Sequence, residues 1–274
     1  MLSVNTNTGA MIALQYLNKT EGELQTTQTR INSGLKVATA KDDGATFAIA
    51  QNMRGNVSGY QAVSDSLNRG VSTVDVAISA GQSISDLLNQ LKAKALAAAD
   101  ASLDTASRNA LNADFTALRD QITAIVQNAN FNGTNLVDGS VAAITALASA
   151  DGTKKITVSG VTLALSGTVV TIKTTSTIST QAKASSMITI INASIQNVNA
   201  SLARLASGEK KFIIQNDFVS KLVDALTAGI GNLVDADMAV ESARLQSLQV
   251  KQQLGVQALS IANAQPQIIL SLFR

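Results

Sequence analysis

Cysteine, histidine and tryptophan are all missing from this chain, and proline occurs once. Without cysteine there can be no disulfide, no thiolate metal site and no cysteine nucleophile. Without histidine the commonest general base and zinc ligand is gone. That excludes Ser–His catalysis and the His-Glu-x-x-His metalloprotease pattern. Aromatics make up only 3% of residues, which leaves few platforms for stacking on bases or sugars. The 21 basic and 19 acidic residues are interspersed, so no basic face for nucleic acid is marked out. These absences remove those chemistries, and nothing else in the composition marks a cofactor or metal site.

Charge is scarcest at the ends. Met1 to Asn18 carries no charged side chain, and between Leu245 and Phe273 Lys251 is the only one. Neither end reads as a membrane segment, because Gln and Asn recur through the C-terminal one: Gln246, Gln249, Gln252, Gln253, Gln257, Asn263, Gln265 and Gln267. The first 18 residues lack the basic and apolar regions of a secretory signal peptide, so export, if any, takes another route. A helix on an isolated soluble protein normally shows water a charged face. Neutral, amide-rich helices with apolar stripes suit a crowd of other helices, and predict ends that are completed by assembly.

The strongest periodicity runs through Ala184, Ile188, Ile191, Ile195, Val198, Leu202, Leu205, Glu209, Phe212, Asn216, Val219, Val223, Leu226, Ile230 and Leu233. Only Glu209 and Asn216 break the apolar series. Spacing of three and four sustained this long predicts one long helix packed in coiled-coil fashion, with Gly208, Gly229 and Gly231 as weak points. Ala10, Leu14, Leu17, Leu24 and Ile31 follow the same spacing behind the candidate N-caps Asn5, Thr6 and Asn7. Gly34 suits a left-handed stop. A second helix is predicted from residue 44 to about Asp100, introduced by Asp42 or Asp43 and carrying Val57, Tyr60, Leu67, Val71, Val74, Ile78 and Leu88 in register. A third begins at Asp104–Thr105, and Asn132–Gly133 marks a tight turn.

Residues 140–179 differ in kind, being rich in Thr, Ser, Val and Gly. Ile156 and Val158, then Val161, Leu163 and Leu165, then Val169, Val170 and Ile172 alternate with small or polar residues. They predict two or three short strands forming a hairpin. The fold class is therefore mainly α: long antiparallel helices forming a coiled-coil rod, with a small β-hairpin insert. Pro266 falls inside the C-terminal helical pattern and predicts a kink or local unwinding.

Three stretches resemble bacterial flagellin. They are INSGLKVATAKDDGATFAIAQNMRG from Ile31 to Gly55, FNGTNLVDG from Phe131 to Gly139, and the C-terminal run from Asp235 that closes in ANAQPQIILSLFR. Only the insert has no matching segment, as befits a variable middle. The resemblance implies a structural subunit that polymerises into the extracellular flagellar filament. The hook–filament junction protein is the alternative, since it shares the terminal helices. The Lys41–Asp42–Asp43 motif and the LSLFR ending favour flagellin.

The resemblance also implies an organisation. Residues 1–40 and 233–274 are the two halves of an inner core domain, paired as a helical coiled coil. Residues 41–139 and 180–232 are the halves of an outer rod domain, and 140–179 is the insert. The implied partners are further copies of the chain, a flagellar export apparatus and its chaperone, and the filament cap and hook-junction proteins. Nucleic acid and membrane insertion are not among them. Subunit packing falls to Leu14, Leu17, Leu24, Ile31, Asp42, Asp43, Val250, Leu254, Ile261 and Ile268. Adjacent carboxylates beside a helix start are caps rather than a catalytic pair, and the resemblance adds that their loop contributes to subunit contacts. Gln249, Gln253 and Gln257 are candidates to line the bore of the tube. A neutral amide surface can solvate a passing chain without holding it by charge.

Overall fold

A computed structural model describes the backbone of residues 6–271 and the side chains of residues 6–264. Among the described residues there are five helices: α1 (Thr8–Ser33), α2 (Gly44–Ala98), α3 (Thr105–Asn128), α4 (Gln181–Val234) and α5 (Met238–Ser271). Two small antiparallel pairs complete the described elements: β1 (Asn130–Phe131) with β2 (Thr134–Asn135), and β3 (Ala143–Leu147) with β4 (Lys155–Ser159). The fold is mainly α with a hairpin insert, as the sequence predicts.

The helix ends follow local chemistry. The Asn7 side chain accepts a hydrogen bond from Ala10 N–H at 3.0 Å and caps α1. Gly34 closes α1 in the left-handed region, at φ 71°, and its N–H donates to Arg30 O. The Asp104 carboxylate accepts from Ala106 and Ser107 N–H at the start of α3. Asn132 and Gly133 both have positive φ, 50° and 81°, as a two-residue hairpin turn of the Asn-Gly type requires.

The chain forms two compact units. One consists of residues 56–224. Within it the α2 and α4 segments run antiparallel: Ser64 Oγ donates to Asn216 Oδ1 at 2.7 Å, and Ser85 Oγ donates to Asn199 Oδ1. On α4 the buried apolar positions recur every seventh residue: Ala184, Ile191, Val198, Leu205, Phe212 and Val219. A second buried series, Met187, Ser194, Ser201 and Gly208, alternates with the first. Beyond Met187 it consists of small residues, because the insert lies close. Thr171 N–H donates to Ser194 Oγ, and a Cβ placed on Gly208 would lie 2.5 Å from Val158 Cγ1. Gly208 therefore marks a close approach and not a break, and α4 continues through Gly208, Gly229 and Gly231.

The insert corrects the predicted strands. Ile156 and Val158 lie on β4, but their partner is the upstream Ala143–Leu147. Val161, Leu163, Val169, Val170 and Ile172 are buried without forming strands, and Leu165 is half-buried. Their segment is held piecewise: Val161 and Leu163 N–H donate to Leu136 and Val137 carbonyls, and Ile178 N–H to Asn112 Oδ1. The alternation reflects packing on the helices, not a sheet ladder.

The other unit consists of residues 1–55 and 225–274, and its centre is the pair α1 and α5. Lys36 and Val37 N–H donate to Val234 O, and Ala236 N–H donates to Gly34 O, joining the connectors that follow α1 and α4. Val37, Ala50 and Val234 form a small core beneath them. The α5 backbone remains helical past Pro266 to Ser271, so the predicted unwinding does not occur.

Candidate assembly surface

The register of α1 against α5 is fixed at three levels. Asn7 Nδ2 donates to Ala262 O at 2.6 Å. Leu17 packs on Gly255, where an added Cβ would come within 3.3 Å of Leu17 Cδ1. Arg30 Nη1 meets Glu241 Oε1 at 3.1 Å. The helices are therefore antiparallel, and the seam uses the less exposed positions of each. On α1 these are Ala10, Ala13, Leu17, Thr20, Leu24, Thr27 and Ile31; on α5 they are Glu241, Leu245, Leu248, Gln252, Gly255, Leu259 and Ala262. Both series step by three and four.

This seam divides the predicted packing residues. Leu17, Leu24 and Ile31 lie on it. Leu14 is 48% exposed on the flank of α1. Val250, Leu254 and Ile261 are 54%, 57% and 68% exposed, and at 100° per residue they fall on the side of α5 opposite the seam. Ile268 and the apolar run to Phe273 lie outside the residues whose side chains are described, as does Asn5. Gln249, Gln253 and Gln257 are exposed too, and with Gln246 form an amide stripe between the seam and the outer apolar stripe. The helix α5 thus presents three faces, of which α1 occupies one. Sequence reasoning missed Gln252 and Gly255 as seam residues, because neither gives an apolar signal.

Asp42 and Asp43 cap and close the turn before α2. The Thr39 N–H donates to Asp42 Oδ2 at 2.8 Å, and with the Thr39 hydroxyl holds that carboxyl below its ordinary range. The Thr46 hydroxyl donates to Asp43 Oδ2 at 2.6 Å, and with the Thr46 N–H lowers Asp43 in the same direction. Both carboxylates are exposed.

The Arg30–Glu241 pair closes the end of the α1–α5 seam away from Asn7. The Glu241 carboxylate is largely buried in the first turn of α5, at the favourable end of the helix dipole. Among the described residues, Arg30 Nε and Glu241 Oε2 are buried without a hydrogen-bond partner. No described group of three or more acidic side chains could hold a metal ion, and no described helix is long and apolar enough to cross a membrane.

The bacterial flagellin N-terminal helical region matches residues 4–142, and the bacterial flagellin C-terminal helical region matches residues 188–273. The chain belongs to the bacterial flagellin family. Flagellin FljK of Caulobacter vibrioides is 54% identical over 272 residues, spanning 99% of this chain and 98% of that protein. A flagellin of Brucella melitensis is 37% identical over 291 residues, spanning 100% of each. The two family models leave residues 143–187 unmatched, as a variable middle would, while the alignment with FljK runs through this segment, so the insert has a counterpart there. A solved structure assigned as a flagellar hook-associated protein, from Vibrio parahaemolyticus, shares the fold. Its TM-score is 0.59 at 13% identity, over 71% of this chain and 100% of that one.

Proposed function

We infer that this flagellin is the structural subunit of a flagellar filament, and that the outer faces of α5 hold the filament together. One observation carries the reading. The helix has its seam with α1 already filled, yet Val250, Leu254 and Ile261 stand exposed on a helix with almost no charge. Helices apolar on more than one face belong inside a larger assembly. Further copies of the chain are the covering partners, with Leu14 on the flank of α1 joining the same contact. Flagellin relatives spanning the whole chain support a filament subunit over the hook–filament junction protein.

The amide stripe is assigned to the bore. Glutamines there wet the channel without fixing the charge of a chain in transit. Residues 1–40 with 233–274 act as the inner core, residues 41–139 with 180–232 as the outer rod, and 140–179 as the insert. The Asp42–Asp43 turn contributes to contacts between copies. Export through a flagellar secretion apparatus with a chaperone, contact with cap and hook-junction proteins, and an extracellular final location belong to the same reading. The role is structural, without catalysis.

Polymerisation of the purified chain tests it. Wild-type protein in filament-forming salt gives long filaments by negative-stain microscopy, and Leu254→Asp or Ile261→Asp gives none at the same concentration. Filaments of normal length from both variants would assign the contact elsewhere.

A further inference from the structure

The two outer edges of the β3–β4 hairpin are not equivalent. Gly160 N–H donates to Ala142 O, and Ala148 N–H donates to Lys154 O. These bonds fall at two ends of one unbroken register, in which Ile144 pairs with Val158 and Ala146 with Ile156. In an antiparallel ladder, hydrogen-bonded and non-hydrogen-bonded pairs alternate. The backbone N–H and C=O groups of Lys155, Thr157 and Ser159 are therefore directed away from β3, along the outer edge of β4. The β3 edge is turned to α2, where Leu147 N–H donates to Ser66 Oγ at 3.2 Å.

The β4 edge opens on a groove of 450 Å³ between Thr157–Ser159 and the α4 residues Ala203, Arg204, Ser207, Gly208 and Lys211. Gly208 lets β4 approach α4 closely, and residues of both line the groove. Its charge is of one sign. Arg204 and Lys211 have no ion pair among the described residues, and Lys155 follows on the strand itself. An open strand edge is a template for another strand, and natural proteins either blunt it or use it.

We propose that the β4 edge and the Arg204–Lys211 rim form a docking groove for an extended acidic peptide of another protein, which adds a third strand to the hairpin. Main-chain bonds to Thr157 and Ser159 supply the affinity. The two cations select carboxylates on alternate residues of the incoming strand. A second copy of the hairpin is the wrong partner, because edge-to-edge pairing would bring Lys155, Arg204 and Lys211 of two chains together. The charge that rejects a copy is the charge that accepts an acidic strand.

The test uses the full-length chain in its unpolymerised form. The probe is a fluorescent eight-residue peptide alternating valine and glutamate, blocked at both ends and titrated by anisotropy. The same peptide with lysine for glutamate is the control. The valine–glutamate peptide binds, and the lysine peptide binds at least about tenfold more weakly, one decade of Kd. The double variant Arg204→Glu, Lys211→Glu lowers affinity for the acidic peptide by the same factor or more. Amide exchange at Thr157 and Ser159 slows in the complex. Thr157→Pro, whose lost N–H faces outward and leaves the ladder to β3 intact, abolishes binding without changing the hairpin's own exchange protection.

Three results would overturn the proposal. One is equal binding of both peptides. Another is binding with no protection at Thr157 and Ser159, or binding displaced equally by free glutamate, either of which reduces the groove to an anion site. The third is self-association of the chain that Thr157→Pro removes, which makes the edge a contact between copies.

Discussion

Replacing Leu254 by aspartate separates packing within one chain from packing between chains. Leu254 is 57% exposed, so in the isolated chain much of the side chain is already in water. Exposed substitutions of this kind change stability by about 0.5 kcal/mol, and the lower helix propensity of aspartate adds a similar amount. Once another copy covers that face, the carboxylate becomes a buried charge without a partner, at about 3–5 kcal/mol. Each 1.4 kcal/mol is a factor of ten, so the concentration needed for polymerisation rises on the order of a hundredfold to a few thousandfold. Leu248→Asp is the reverse case. Leu248 is 2% exposed in the seam with α1, so the same charge acts within the single chain. Pelleting assays across a concentration series measure the first effect, and far-UV circular dichroism of the unpolymerised chain measures the second. Leu254→Asp should raise the critical concentration and leave the isolated chain's helicity unchanged, while Leu248→Asp lowers that helicity. If Leu254→Asp unravels the isolated chain as much as Leu248→Asp does, the outer stripe is a seam residue after all and the argument fails.

Gly208→Ala sets helix propensity against packing: the gain of about 1 kcal/mol is outweighed by crowding against Val158, about 1–3 kcal/mol, so urea unfolding should show net loss, relieved in the double variant with Val158→Ala. A Gly208→Ala chain more stable than wild type would mean that the hairpin does not rest on α4. Burial first, and Asp75 second, raise the Glu209 carboxyl above its ordinary value of 4.5. The folded chain therefore holds that proton more tightly than the unfolded chain, and the charged carboxylate opposes folding above the raised value. Glu209→Gln should be the more stable form at pH 7 by thermal unfolding, with the difference closing as pH falls toward 4.5, and a constant difference across that window would refute the assignment. Replacing Gln249, Gln253 and Gln257 together by glutamate should shorten filaments on cells while purified subunits polymerise almost normally, because only growth on the cell needs transit through the bore. Equal shortening in both settings would place the three glutamines in a contact between copies.

Much of the fold could be read in the residues where a local rule acts alone. Asn7, Gly34 and Asp104 end or begin helices through their own side chains or backbone, and Asn132–Gly133 makes its turn the same way. The heptad on α4 was legible for the same reason, since Ile191, Val198, Leu205 and Phe212 are large and apolar. Positions that depend on a neighbour were not. Ser194, Ser201 and Gly208 are buried because the insert needs room there, and a small residue gives no periodic signal. On α5 the apolar residues run around the helix, so periodicity alone could not choose the face. The register through Val250, Leu254 and Ile261 is real, but α1 takes the face carrying Leu248 and Gly255. The strand Ala143–Leu147 carries little strand signal, because alanines at both ends of Ala-Ile-Thr-Ala blur the alternation. Pro266 follows an ordinary rule that the α5 backbone overrides.

Helical reconstruction of filaments grown from the purified chain, at a resolution that shows side chains, tests the central claim most directly. The account predicts a hollow tube in which neighbouring copies cover Val250, Leu254 and Ile261 while Gln249, Gln253 and Gln257 face the bore. A tube with Val250, Leu254 and Ile261 left in solvent, or a chain that forms no filament at all, would contradict it.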